Sequence, residues 1–218
     1  MSIYLWLASL SLSFGQPISV VPPKEAIPKK RKPPAGWRKF WYPNFHKTYG
    51  NNYRSGTPTS YAVLKYLRDE FGIKRVVNLA LDSMRYQQDK KFKCRGYHRR
   101  SQQCEPKWAK SLGLEYIPAY MTSRAPSKEK WNRIRAALEK GNTLVHCTYG
   151  ADRTGAVVAR FALETIEDVS AKELYREAVK YGFKRSTFRG YRKGKADPNR
   201  RLRKWMLAGS FQGVPKQN

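Results

Sequence analysis

Negative charge is scarce in this sequence. Its 218 residues hold 16 Asp and Glu against 44 Lys and Arg, a formal net charge of +28. That excess is more than solubility requires, and it sets up a field that concentrates polyanions near the surface. The partner classes this leaves open are polyanionic phosphorylated small molecules, nucleic acid and anionic membranes. The first is favoured, and no protein partner is implied. Cysteine and histidine are scarce too, three of each. Cys94, Cys104 and Cys147 have no zinc-binding arrangement with His46, His98 and His146, so no metal is expected. The apolar run from Met1 to Gln16 carries no charged side chain and is too short to span a bilayer. It has the character of a secretory signal, with Ser13-Phe14-Gly15 as a small-x-small cleavage site, although a charged segment before it is missing. The expectation is an exported protein, periplasmic or secreted; without a signal it would be cytoplasmic.

What remains is a globular composition, 40% hydrophobic and 13% aromatic, long enough for one α/β domain. Residues 1–16 form the expected signal, 17–35 a Pro-rich basic arm, 36–210 the domain and 211–218 a tail. No internal repeat interrupts it. Thr59 or Ser60 is placed to cap a helix running to Phe71, with Ala62, Val63, Tyr66 and Leu67 at helical spacing and Gly72 as the stop. Lys74–Leu81 reads as a buried parallel strand. Asp82–Lys107 reads as an irregular basic insertion, Trp108–Leu112 as a short helix and Leu114–Pro118 as a strand. Ser127 caps a helix through Glu139, and Ser170–Tyr181 carries another core stripe. Asp197 is placed to cap a last helix, Pro198 to Ala208. Cys94 and Cys104 flank nine residues; in an exported protein they either form a disulfide or remain two thiols.

The most informative stretch is Val145-His146-Cys147-Thr148-Tyr149-Gly150-Ala151-Asp152-Arg153-Thr154-Gly155. It reads as a buried strand (Thr143–His146), a tight loop, then a helix from Thr154 to about Thr165. Cys147 and Arg153 are separated by five residues. A loop of that length can turn successive backbone N–H groups inward as a nest for a tetrahedral anion. The helix behind it adds unpaired N–H groups and a positive dipole end. Arg153 can fork two hydrogen bonds onto two phosphate oxygens. At the base of such a cradle a Cys147 thiolate is favoured by positive surroundings. Gly150 supplies backbone freedom, and Gly155 suits close packing at the helix start.

His-Cys-x5-Arg-Thr resembles the signature of the cysteine-dependent protein-tyrosine and dual-specificity phosphatases. A second stretch agrees: Tyr53-Arg54-Ser55-Gly56, Pro58, a helix, Gly72-Ile73-Lys74, a strand, then Asn78-Leu79 resembles the front half of bacterial dual-specificity phosphatases. The resemblance thus runs from about Tyr53 to Thr165. It implies a single α/β domain with a central, mostly parallel sheet flanked by helices, Cys147 at the carboxyl end of a central strand, and no cofactor. It also implies that Cys147 attacks phosphorus, that the loop amides of Thr148, Tyr149, Gly150, Ala151 and Asp152 with Arg153 hold the phosphoryl oxygens, that Thr154 donates to the Cys147 sulfur, and that His146 orients the loop.

The family's usual general acid is an Asp in the loop between the Pro118 strand and the Ser127 helix. Here that loop reads Met121-Thr122-Ser123-Arg124-Ala125-Pro126 and has no carboxylate. Asp152, inside the phosphate loop, is the first replacement and Asp82, at the end of the Val76–Leu81 strand, the second; a polyphosphorylated leaving group that brings its own proton is the third. Among substrates, the charge and the expected basic rim (Arg85, Arg124, Lys128 and the loop Lys184–Lys195) favour inositol polyphosphates such as phytate, as in the protein-tyrosine-phosphatase-like phytases. The alternatives are a protein tyrosine or dual-specificity phosphatase, an RNA 5′-triphosphatase, and a catalytically silent polyanion-binding protein.

Overall fold

The architecture is taken from a computed structural model, which describes residues 44–80, 104–183 and 199–208. Five strands form one sheet: β1 (His46–Thr48), β2 (Asn52–Ser55), β3 (Arg75–Ala80), β4 (Glu115–Met121) and β5 (Thr143–His146). Their spatial order is β1-β2-β5-β3-β4, parallel except for β1, which runs antiparallel to β2. The sheet is therefore mostly parallel and β5 lies in its centre. The register aligns Ser55, His146 and Asn78 across three neighbouring strands, one residue short of Cys147.

Alternation along the strands divides the core into two layers. Val76 and Leu144 face α1 (Tyr61–Phe71) and α2 (Cys104–Ser111), together with Leu64, Leu67 and the fully buried Trp108. Val77, Leu79 and Val145 face the other way, toward α3 (Lys128–Glu139), α4 (Asp152–Thr165), α5 (Ala171–Lys180) and α6 (Arg200–Met206). Each fully buried Leu, Val or Phe in these layers contributes about 1.5–3 kcal/mol. Among the described residues no helix is long and apolar enough to cross a membrane.

The helix starts follow their capping residues. Ser60 Oγ accepts from Val63 N at 3.2 Å, and Gly72, with φ of 65°, ends α1 by donating to the Arg68 carbonyl at 3.0 Å. Ser127 Oγ accepts from Lys130 N at 3.3 Å, and Ser170 with Glu173 forms a capping box.

The structure departs from the sequence expectations at five places. β1, three residues long, was not foreseen. β4 continues through Pro118 to Met121; a proline is tolerated because β4 is an edge strand. α2 begins at Cys104, so residues 104–107 are helical and not part of an irregular insertion. α4 begins at Asp152, two residues early. α6 starts after Asn199. The signal, the Pro-rich arm, Asp82, Arg85, Cys94, the Lys184–Lys195 loop and Asp197 lie outside the described residues.

His46 packs its ring on Tyr181 at 4.5 Å between centroids. Burial, then the nearby Arg54 and Lys180, hold its pKa below the ordinary 6.5. Below pH 6.5 the unfolded chain therefore takes up the proton first, and acid costs stability as pH falls through and below that value. His46→Phe should show a smaller fall in Tm between pH 7.5 and pH 5.5 than the wild type, measured by thermal denaturation.

Candidate active site

The carboxyl ends of the parallel strands meet at one point, and β5 delivers Cys147 there. Cys147 is a free thiol and only 2% exposed. The chain then turns through residues 148–151 into α4. Two contacts from the segment after β2 fix the first part of this turn. Thr57 Oγ1 donates to the Cys147 carbonyl at 3.1 Å, and Thr57 N donates to the Thr148 carbonyl at 3.3 Å.

Gly150 is the tightest point. Its φ is +67°, and a Cβ built on it would lie 2.4–2.6 Å from backbone atoms of Ser55 and Gly56. No other residue type fits there without moving the loop or the strand end. The close packing expected at Gly155 is looser: a Cβ there would meet Arg54 and Phe183 at 3.5 Å, ordinary contact.

Arg153 lies in the first turn of α4. Its Nη1 donates to the carbonyls of Leu79 at 3.2 Å and Met121 at 3.1 Å, the ends of β3 and β4. Nη2 donates to Thr148 Oγ1 at 2.9 Å. The guanidinium is thus anchored across three strand ends at the mouth of the loop. Asp152 takes a hydrogen bond on Oδ1 from Asn199 Nδ2 at 2.7 Å, and Asn199 also donates to the Phe183 carbonyl at 3.2 Å. The expected bond from Thr154 to the Cys147 sulfur is not formed. Thr154 Oγ1 is buried and has no hydrogen-bond partner among the described residues, because the helix begins at Asp152 and places Thr154 on its inward face. Tyr149 and Ala151 are half-buried on the outer part of the loop. Arg124 and Lys128 are exposed beyond the end of β4.

Behind the nucleophile lies a buried polar cluster that sequence reasoning missed. His146 and Glu105 are both fully buried, with His146 Nε2 2.8 Å from Glu105 Oε1. The two atoms approach closely without the in-line geometry of a hydrogen bond, and His146 Nδ1 has no hydrogen-bond partner among the described residues. Asn78 Nδ2 donates to Glu105 Oε2 at 2.6 Å and to the Tyr116 hydroxyl at 2.9 Å. Burial, then the Glu105 charge, raise the Tyr116 pKa, so its hydroxyl stays protonated. A signal for Glu105 did exist: residues 105, 108, 109 and 112 fall at helical spacing, which sets a carboxylate in line with Trp108, Ala109 and Leu112. Cys104, one residue before Glu105, is disulfide-bonded; Cys94, its expected partner, lies outside the described residues.

A thiol at the end of a central parallel strand, a tight five-residue turn and an arginine in the first turn of the next helix define the cysteine-dependent phosphatases. The chain belongs to the tyrosine phosphatase family, whose family model matches residues 48–177, more than half of the sequence. The chain is similar to several solved structures. A putative phosphatase from Shewanella putrefaciens CN-32 is 17% identical, with 77% of this chain and 91% of that chain covered and a TM-score of 0.51. Pseudomonas aeruginosa TpbA in complex with phosphotyrosine is 17% identical over 79% of this chain and 91% of that one, with a TM-score of 0.50. The catalytic domain of the Saccharomyces cerevisiae PP-IP phosphatase SIW14 is 16% identical over 66% and 78%, with a TM-score of 0.48. No curated protein matches the chain by sequence. The protein is a cysteine-dependent phosphatase.

The two loop glycines give a sharp contrast. Gly150→Ala should remove activity and lower stability by about 1 kcal/mol or more, since a Cβ there is both strained and clashing. Gly155→Ala should keep most of both. Turnover and Tm of the two variants check this together.

Proposed function

We propose that the protein hydrolyses phosphate monoesters of inositol polyphosphates, phytate by preference. The observation that carries this reading is the segment beyond β4, where the family places an acidic residue. It holds Thr122, Ser123 and an exposed Arg124 ahead of Lys128, while Arg153 binds the Met121 carbonyl at its base. In this reading basic residues stand where the family has a carboxylate, on a chain with a net charge of +28. A ring carrying many phosphates meets that rim with several charges at once.

In this reading the Cys147 thiolate attacks phosphorus in line with the leaving oxygen. The S–P bond forms as the P–O bond breaks, and the leaving oxygen takes the electron pair and a proton. Water then attacks the phosphocysteine, releasing phosphate and the thiolate. The loop amides and Arg153 hold the equatorial oxygens as charge spreads over them. Asp152 is the carboxylate of the loop and the first proton donor to test, with Asn199 holding one of its oxygens. The reading includes export, with Met1–Gln16 as the signal. A protein tyrosine phosphatase is the second reading, favoured by the description of the matching family.

Purified protein should release phosphate faster from phytate than from a phosphotyrosine peptide or a 5′-triphosphate RNA, and Cys147→Ser should abolish release from all three. Preference for peptide or RNA would move the substrate to that class. No Cys147-dependent release from any of them would favour a silent polyanion binder. With phytate, kcat/KM should fall with added salt more steeply than with a singly phosphorylated aryl ester. Asp152→Asn should flatten the basic limb of the pH–rate profile, and an unchanged limb would transfer the proton to Asp82 or to the substrate.

A further inference from the structure

Arg54 stands out among the buried groups that the reaction scheme leaves unused. It sits in β2, between Tyr53 and Ser55, and is 1% exposed. A fully buried guanidinium is costly to desolvate and is retained only where its surroundings compensate it. Its Nη2 donates to the Gly150 carbonyl at 2.7 Å. Its guanidinium lies over the Tyr181 ring, 4.5 Å from the centroid. Its Nε has no hydrogen-bond partner among the described residues. The Cα of Gly155 faces it closely enough that a Cβ would touch Nη2 at 3.5 Å. Arg54 is thus a cation packed under the phosphate loop, on the side away from Arg153.

The groups around it are few and can be named. From α5 and the turn after it come Glu177 and Tyr181; from β1 and the turn after it come His46 and Tyr49, whose hydroxyl bonds Glu177. From the end of β5 comes Cys147, with which Arg54 interacts electrostatically, as it does with Glu177. Burial lowers the Arg54 pKa to about 10, against the opposing pull of Glu177 and then Cys147, so it remains charged at neutral pH. The other charged groups near this end of β5 are Arg153 of α4, bonded to Thr148, and Glu105 of α2, close to His146.

We infer that Arg54 is a positioning residue for the nucleophile: from beneath, it clamps the loop through the Gly150 carbonyl and supplies a second fixed cation that favours the Cys147 thiolate. The clamp acts at the same residue whose backbone is pressed onto Ser55 and Gly56, so one strand end sets both the shape of the loop and its charge. A side chain present only to fill the core would need no charge there, and an apolar residue would avoid the desolvation.

The inference rests on Cys147 being the nucleophile, but not on the substrate. The test therefore reads the thiol directly. Full-length protein is alkylated with iodoacetamide across a pH series, and modification of the Cys147 peptide is followed by mass spectrometry. Arg54→Gln keeps a donor for the Gly150 carbonyl and removes the charge. Its alkylation midpoint should rise by about one pH unit, roughly a tenfold loss of thiolate at a fixed pH below the midpoint. Arg54→Lys keeps the charge and should titrate with the wild type, while its kcat falls because an ammonium cannot both reach the Gly150 carbonyl and stack a planar guanidinium on Tyr181. A purely structural role would lower Tm in both variants and leave both midpoints in place. A Gln variant that titrates as the wild type overturns the inference, and so does a Lys variant whose midpoint rises. Failure of phytate as substrate would leave these results untouched.

Discussion

The contact between Gly150 and the Ser55–Gly56 backbone is the constraint on which the site depends. A phosphate cradle made of backbone amides has no side chains to hold its own shape, so the shape must be imposed from outside. Here it is imposed by one strand end. Ser55 and Gly56 press on the loop where only a glycine fits, Thr57 ties the carbonyls of Cys147 and Thr148, and Arg54 holds that of Gly150 from below. Because β2 pairs with β5 in parallel, the strand that positions the loop and the strand that launches it form one rigid unit. The helices on either face then cover the sheet without having to shape the site.

The chemistry is arranged around that unit in two opposed halves. On one side, Arg153 is anchored by carbonyls at the ends of β3 and β4. On the buried side, positive charge comes from Arg54 in one layer of the core. In the other layer, Glu105 stands against His146. Burying a carboxylate beside a histidine would be unfavourable unless other donors served it. Asn78 does so at 2.6 Å and holds the neutral Tyr116 hydroxyl at 2.9 Å. Arg54 and Glu105 thus lie in different layers of the core, with the sheet between them.

The phosphate loop was legible in the sequence because its chemistry is local. Cysteine, glycine and arginine at fixed spacing, between an apolar strand and a helix, carry their meaning without tertiary information. Ser127 was legible as a cap for the same reason, and Ser60 as one of two candidates with Thr59. The central place of β5 and the mostly parallel sheet came from the family resemblance. What was missed is nonlocal. β1 is too short to show any period. Glu105 looked like one acid in a basic segment until α2 turned it inward. Arg54 was visible only as part of a resemblance, because nothing in Tyr-Arg-Ser says that the arginine is buried. The Thr154 hydroxyl was assigned a partner that the helix geometry does not give it. In each case the deciding fact is which face of an element meets the core, and that depends on residues far away in the chain.

The bond between Asp152 and Asn199 joins the phosphate loop to a residue 47 positions later in the chain. Synthesis runs from the amino end, so the sheet, the loop and α4 are all made before Asn199 exists. A nascent chain can therefore form its sheet and present Cys147 before this tie is available. The restraint on Asp152 is thus added to a loop whose strands are already made, by a residue that follows α5.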